Sequence, residues 1–246
     1  MLLADSSGTK YPPMLVYKCN PSKVPQTAAE NIRQRNGFSV GMWRDMELLQ
    51  IETGMHIYCN PKGWFNEDLA INFLRHYVAR RENPSKPILL LWDDFSGHWT
   101  PEVISYAKSI NVFLERVSPN CTAVCQSADI AWMKPPKDRL RGMWVTSIRD
   151  QLRNRVPDQP FSIKAPDRVL MVHWMHNTWS DISASTICNG FRKGGYIEKS
   201  TSTVVVREPS PLRADGEGDV VQLLEESGIL DTEVGIIDSD DDFDQP

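Results

Sequence analysis

The sequence predicts an α/β fold, and three neighbouring features carry that expectation. Pro87 to Trp92 is an unbroken apolar run of strand length, suited to burial on both faces. Thr100-Pro101-Glu102 sets a capping side chain before a proline at the first helical position, so 101–109 reads as a helix. Val112-Phe113-Leu114 supplies the next strand. Strand, helix, strand at this spacing is the pattern of a parallel crossover.

The remaining elements follow in order. Met1 to Ala4 reads as the end of a strand, Ser7-Gly8 as a turn, and Met14 to Tyr17, after Pro12-Pro13, as a short strand. Residues 19–37 are polar, contain Pro21, Pro25 and Gly37, and read as a loop. Asn66 is a good helix cap, with Glu67 and Asp68 in the first turn. Leu69, Phe73, Leu74 and Tyr77 then recur at helical spacing, so 66–82 reads as an amphipathic helix that Pro84 and Pro87 close. Residues 118–127 form a polar loop. A helix is expected to start near Asp129, to be disturbed by Pro135-Pro136, and to resume through about Arg155. Two more helices are expected over 167–178 and 181–193, the last closed by Gly194-Gly195. Val204 to Val206 reads as a short strand or as linker. Val220 to Leu230 has the pattern of a transient amphipathic helix, and the acidic run from Asp238 to Asp244 is expected to be disordered. The expected division is one domain over 1–200 and an acidic tail over 201–246.

Charge is unevenly spread. The chain has 246 residues and a net charge of −5. Residues 213–246 hold twelve acids against Arg213 and sum to −11, which leaves +6 on residues 1–212. A mildly basic body suits a polyanionic partner, although +6 over this length is weak evidence by itself. No apolar run approaches the roughly 20 residues of a membrane span, and Met-Leu-Leu-Ala-Asp lacks the basic flank of a secretory signal. Five cysteines without a C-x-x-C pair argue for reduced thiols in a reducing compartment. Walker, dinucleotide-binding, zincin and nucleophile-elbow motifs are all absent from the sequence, so the enzyme classes they mark find no support.

The chemistry centres on two carboxylates. Asp93 stands at the exit of the apolar strand, and Asp129 follows 36 residues later in Gln126-Ser-Ala-Asp129. Hard divalent ions, Mg²⁺ or Mn²⁺, prefer converging carboxylates, and two such ions can hold the attacking and leaving oxygens of a phosphodiester. The bland alternatives are real: a strand-end acid that solvates a turn for Asp93, and a simple helix cap for Asp129. Asp94 competes with Asp93, because neighbours on a strand face opposite ways. His98 either orients a carboxylate or touches phosphate, or is a loop histidine bonded to backbone. Lys134 and Lys137 are candidate nucleic-acid contacts, with a solvated helix face as the default.

Taken together, several segments resemble the DDE superfamily endonuclease domain of pogo/Tigger-like transposases, which are related to mariner. Ala4-Asp5-Ser-Ser-Gly-Thr-Lys-Tyr-Pro-Pro13 with the strand ending in Lys18 is similar to the family's hairpin. Asn60-Pro-Lys-Gly-Trp64 is similar to the start of its next helix. Ile88-Leu-Leu-Leu-Trp-Asp93-Asp-Phe-Ser-Gly-His98 resembles its central strand and the turn beyond. Ser118-Pro-Asn-Cys-Thr122, Gln126-Ser-Ala-Asp129 and Lys134-Pro resemble the following loop and helix. Trp179 and Ile187 through Phe191 to Gly195 are similar to its closing helix. The resemblance covers about residues 1–200.

The resemblance implies an RNase H-like fold: a mixed sheet flanked by helices, here with its first strand missing. It implies Mg²⁺-dependent cleavage and transfer of DNA strands, DNA as partner, no membrane, and a nuclear location. Asp93 matches the second catalytic carboxylate and metal ligand, and Asp129 the third. Asp5 matches a turn residue, and no residue matches the first carboxylate. Ser118 and Ser127 replace prolines of the pattern. The expectation is therefore a transposase-derived domain that binds nucleic acid, with weak metal affinity and without competent catalysis. Two other expectations stand beside it: an active nuclease whose gene begins further upstream, and a domesticated DNA-binding module whose acidic tail recruits a protein partner. Vacant strand edges are expected to weaken the isolated fold.

Overall fold

The computed structural model describes residues 1–118, 121–156 and 161–198, together with Val220 and Gln222. Val204 to Val206, the run from Asp238 to Asp244 and nearly all of 220–230 lie outside the described residues. Among the described residues two compact units separate: 1–137 with 167–198, and 138–156 with 161–166. The larger unit carries every strand among the described residues.

The chain opens with a hairpin of β1 (Leu3–Ala4) and β2 (Lys10–Tyr11), paired antiparallel. The Asp5 carboxylate shapes its turn: Oδ1 accepts from the backbone N–H groups of Ser7 and Thr9, both at 2.9 Å. Lys10 reaches across to the far end of the chain. Its ammonium donates to the carbonyls of Trp179 and Ser180 at 2.7 Å and of Ile182 at 2.5 Å. Trp179 Nε1 in turn donates to Tyr11 O at 2.8 Å.

Strand β3 (Met14–Lys18) is followed by α1 (Pro25–Arg35), which corrects the loop expected over 19–37. Its apolar stripe is missing: Ile32 is exposed and the buried residue is Asn31. Hydrophobic periodicity cannot find such a helix. Polar contacts hold it instead, with Arg35 Nε donating to Asn31 Oδ1 at 3.0 Å and Asn36 closing it in the left-handed region. Helix α2 (Val40–Thr53) ends at Gly54, and β4 (His56–Asn60) pairs parallel with β3, Met14 opposite His56. The end of α1 is stitched to β4. Cys59 N donates to Asn36 O at 2.8 Å, Asn36 Nδ2 to Ile57 O at 2.9 Å, and Ile57 N to Gln50 Oε1 at 2.9 Å. This covers the outer edge of β4.

Helix α3 (Glu67–Phe73) starts as expected, with Asn66 Oδ1 accepting from Leu69 N at 3.0 Å. It does not continue as a regular α-helix to 82. Leu74–Val78 form a π turn in which Ala79 N bonds Leu74 O at 2.8 Å. The wider turn brings His76 under β4. Its ring stacks on His56 at 3.9 Å, and its Nε2 lies 2.8 Å from the Tyr58 hydroxyl. Burial, together with His56, Arg80 and Arg75, pulls the His76 pKa down to about 4. An unfolded imidazole titrates near 6.5. The unfolded chain therefore binds the proton first, and the contribution is whole above pH 6.5 and lost as pH falls towards 4. Because His76 is only half-buried, the loss is on the order of 1–2 kcal/mol. We expect the urea midpoint to fall across this window, and to fall less in His76→Phe, which keeps the stack. A parallel fall in both proteins would show that other groups cause it.

The guanidinium of Arg81 closes the connection to the next strand. It donates to the carbonyls of Val78, Pro84, Lys86 and Ile110 at 2.6 to 3.0 Å. Strand β5 (Ile88–Trp92), helix α4 (Pro101–Ser109) and strand β6 (Val112–Arg116) form the expected parallel crossover, Ile88 opposite Val112 and Trp92 opposite Arg116. After the short helix α5 (Thr122–Cys125) comes a π turn over Ala128–Trp132, then α6 (Lys134–Arg153). The helical turn that starts near Asp129 is interrupted at Met133 and resumes as α6, as expected from the Pro135-Pro136 pair. The two prolines stand in the first turn of α6, where their missing N–H groups are not needed. Helices α7 (Arg168–Ser180) and α8 (Ala184–Lys193) complete the described order.

The larger unit buries three apolar clusters. One joins α3 and its π turn to β5, β6 and α4 through Phe73, Leu74, Leu90, Trp92 and Val103. A second packs Phe38, Met46, Leu49 and Ile57 against Val172 of α7. The third holds Ala4, Trp132, Trp179 and Ile187 together. One expectation is modified: the strands form three separate two-stranded ladders and not one continuous sheet. Hydrogen bonding between Met1 and Met14 is what links the hairpin to β3.

Candidate metal centre

Asp93 is the first residue beyond β5, so the ladder with β6 fixes its backbone. Its carbonyl accepts from Trp99 Nε1 at 2.8 Å, and its Oδ1 accepts from Phe95 N at 3.3 Å. A 3₁₀ turn over Ser96–His98 then folds His98 back. The imidazole Nδ1 lies 2.8 Å from Asp93 Oδ1. The ring is 1% exposed and lies flat on Trp92, with centroids 4.1 Å apart and planes within 4°. Phe65 and Phe95 meet it edge-on at 5.9 and 5.2 Å. The polar contact with His98, opposed by partial burial and aided by the Phe95 N–H, holds the Asp93 carboxyl below the usual aspartate range. Asp93 is thus anionic at neutral pH and only half-buried.

Asp94 points elsewhere. Its Oδ1 pairs with Arg116 Nη1 at 2.8 Å, and that guanidinium lies 4.3 Å from the Trp99 ring centroid. Of the two neighbouring acids, Asp93 faces the histidine and Asp94 is engaged by a cation. Arg116 was not singled out from sequence. Its place beside the site follows from the ladder register, Trp92 opposite Arg116.

Asp129 is exposed on the π turn after α5. Trp132 anchors that turn against Trp179 at 6.1 Å and Phe191 at 5.6 Å. Helix α8 comes so close that a Cβ on Gly190 would stand 2.6 Å from Ser127 O. Only glycine allows this approach. Lys134 and Lys137 are exposed at the start of α6.

The structure therefore unites Asp93 with His98. Among the described residues it gathers no group of three or more His, Cys, Asp or Glu side chains that suits a metal ion. One or two carboxylates suffice for one hard divalent ion that keeps several waters, as Mg²⁺ commonly does. Two carboxylates alone do not make a two-ion cage.

Residues 1–191 match the family described as DDE superfamily endonuclease. The chain belongs to that family. Among curated proteins it is 28% identical over 144 residues to the human "Pogo transposable element with KRAB domain" and, to the same extent, to the mouse protein of that name. Each match covers 57% of this chain and 23% of the relative, so the chain spans about a quarter of the length of these relatives. No solved structure matches. The pogo-like relationship is thus carried by sequence, and the mixed α/β architecture by the fold. Among the described residues no helix is long and apolar enough to cross a membrane.

Proposed function

We propose that this chain is a transposase-derived DDE endonuclease domain of RNase H-like descent. It binds DNA in the nucleus and holds a divalent cation, Mg²⁺ or Mn²⁺, between Asp93 and Asp129. The observation that carries this reading is the placement of Asp93. A carboxylate fixed at the carboxyl end of a parallel strand, kept anionic by a buried histidine, is a rigid oxygen ligand at the sheet edge where α/β proteins bind their ligands. Lys134 and Lys137 support contact with phosphates because they are exposed and follow Asp129 within about two helical turns.

Because no group of three or more His, Cys, Asp or Glu suited to a metal forms among the described residues, we read this as a site that binds a cation without the charge neutralisation that phosphoryl transfer needs. Strand cleavage by the chain alone is therefore expected to be absent. The test is a Mn²⁺ titration followed by water-proton relaxation, with a plasmid-nicking assay alongside. Asp93→Ala and Asp129→Ala should each weaken Mn²⁺ binding by about tenfold or more, and the parent chain should leave DNA intact. Binding unchanged in both variants would remove the basis for the site. Metal-dependent nicking by the parent chain would overturn the claim of inactivity.

A further inference from the structure

One buried titratable group is not explained by packing. His98 sits in a box of Trp92, Phe65 and Phe95 that would suit a phenyl ring. An imidazole there leaves Nε2 buried without a partner among the described residues, and Nδ1, although close to Asp93 Oδ1, is not aligned for a regular hydrogen bond. An unsatisfied buried polar atom destabilises the fold. A group kept at that cost needs a compensating role, and the one polar contact in the box is Nδ1 to Asp93 Oδ1 at 2.8 Å.

The geometry fixes what this contact does. Nδ1 lies 2.8 Å from Oδ1, which also accepts from Phe95 N. One carboxylate oxygen thus faces both the imidazole and an amide, and the other is left for a ligand. The ring cannot swing, because it is stacked on Trp92 and flanked by two edges. Trp92 immediately precedes Asp93, so one strand end sets both the imidazole and the carboxylate. Asp94, one residue further on, is held by Arg116 and does not intrude.

We infer that His98 is a positioning residue for the candidate metal centre: it fixes the plane of the Asp93 carboxylate and presents Oδ2 to a hard divalent cation. The inference rests on the reading of Asp93 as a metal ligand. Outer partners that orient a ligand typically alter metal affinity by 10- to 100-fold when removed.

Substitution at the box tests it, using the full chain and Mn²⁺ alone as probe. His98→Phe fills the space without a donor, and His98→Asn restores an N–H near the Nδ1 position. The expected result is Mn²⁺ affinity about tenfold weaker in His98→Phe and within about threefold of the parent in His98→Asn. A role in packing alone predicts the reverse order, since phenylalanine fills the box better than asparagine. If His98→Phe does not fold, His98→Gln replaces it, because its amide lies at the Nε2 end and cannot serve Asp93. Equal affinity in His98→Asn and His98→Gln then overturns the inference. Asp93→Ala separates the two failures. If Asp93→Ala loses Mn²⁺ while the donor-less His98 variant keeps it, the positioning role falls and the metal centre stands. If Asp93→Ala keeps Mn²⁺, the metal centre itself falls.

Discussion

Gly37→Ala is expected to cost the larger unit on the order of 2–5 kcal/mol, a large part of the stability of an ordinary domain. A Cβ at this position would stand 2.1 Å from the carbonyl oxygen of Cys59, well inside van der Waals contact. The residue also has φ of +94°, where side-chain-bearing residues are strained by about 1–2 kcal/mol. The carbonyl cannot retreat, because Cys59 lies in the β3–β4 ladder opposite Tyr17 and its N–H is bonded to Asn36 O. Relief requires lifting the end of α1 from β4, which breaks that bond and those of the Asn36 side chain. Overpacking of this kind typically costs 1–3 kcal/mol, and the strain adds to it. Urea unfolding followed by circular dichroism measures the change. A loss below about 1 kcal/mol would mean that α1 does not approach β4 so closely.

Phe73→Ala should be comparably damaging, and it should reach the candidate site. Phe73 is buried at the last position of α3, with ring centroids 5.0 Å from Tyr77, 5.5 Å from Trp92 and 6.4 Å from Phe65. Removing a buried phenyl ring costs about 3–5 kcal/mol. Two of these three neighbours also touch His98, so the cavity would open against the rings that hold the imidazole. The expected result is a fall in stability of that size, with a shift of the His98 ring-proton resonances as the Trp92 face moves. Stability lowered without movement of those resonances would show that the core and the Asp93 station are mechanically separate.

The crossover from β5 through α4 to β6 was readable because each signal there is local: an unbroken apolar run, a threonine cap, a proline at the first helical turn. The hairpin turn and the capped start of α3 were readable for the same reason. What escaped was held by distant partners. Helix α1 presents polar residues on every face and owes its place to Asn31, Arg35 and Asn36. Strand β4 is short, and it is defined by pairing with β3, whose first residue lies 42 positions earlier in the chain. Neither π turn has a signature in residue spacing, since each shifts the helical period by one residue only where tertiary contacts require it. In the site, Asp93 and Asp129 stood out by position in the sequence and the family resemblance. The burial of His98 and the capture of Asp94 by Arg116 depend on ring stacking and strand register, which no local pattern encodes.

The ammonium of Lys10 closes the larger unit into a loop. Through the carbonyls at the end of α7, the hairpin at one extreme of the fold grips the helices at the other, and Trp179 returns the grip by donating to Tyr11. The turn that carries Asp129 rests on the same tryptophan and on Ala4 of the hairpin. A carboxylate in the middle of the sequence is thus steadied by residues more than a hundred positions before it. Trimming the first dozen residues from a fragment would therefore loosen Asp129 while leaving every residue near it in sequence unchanged.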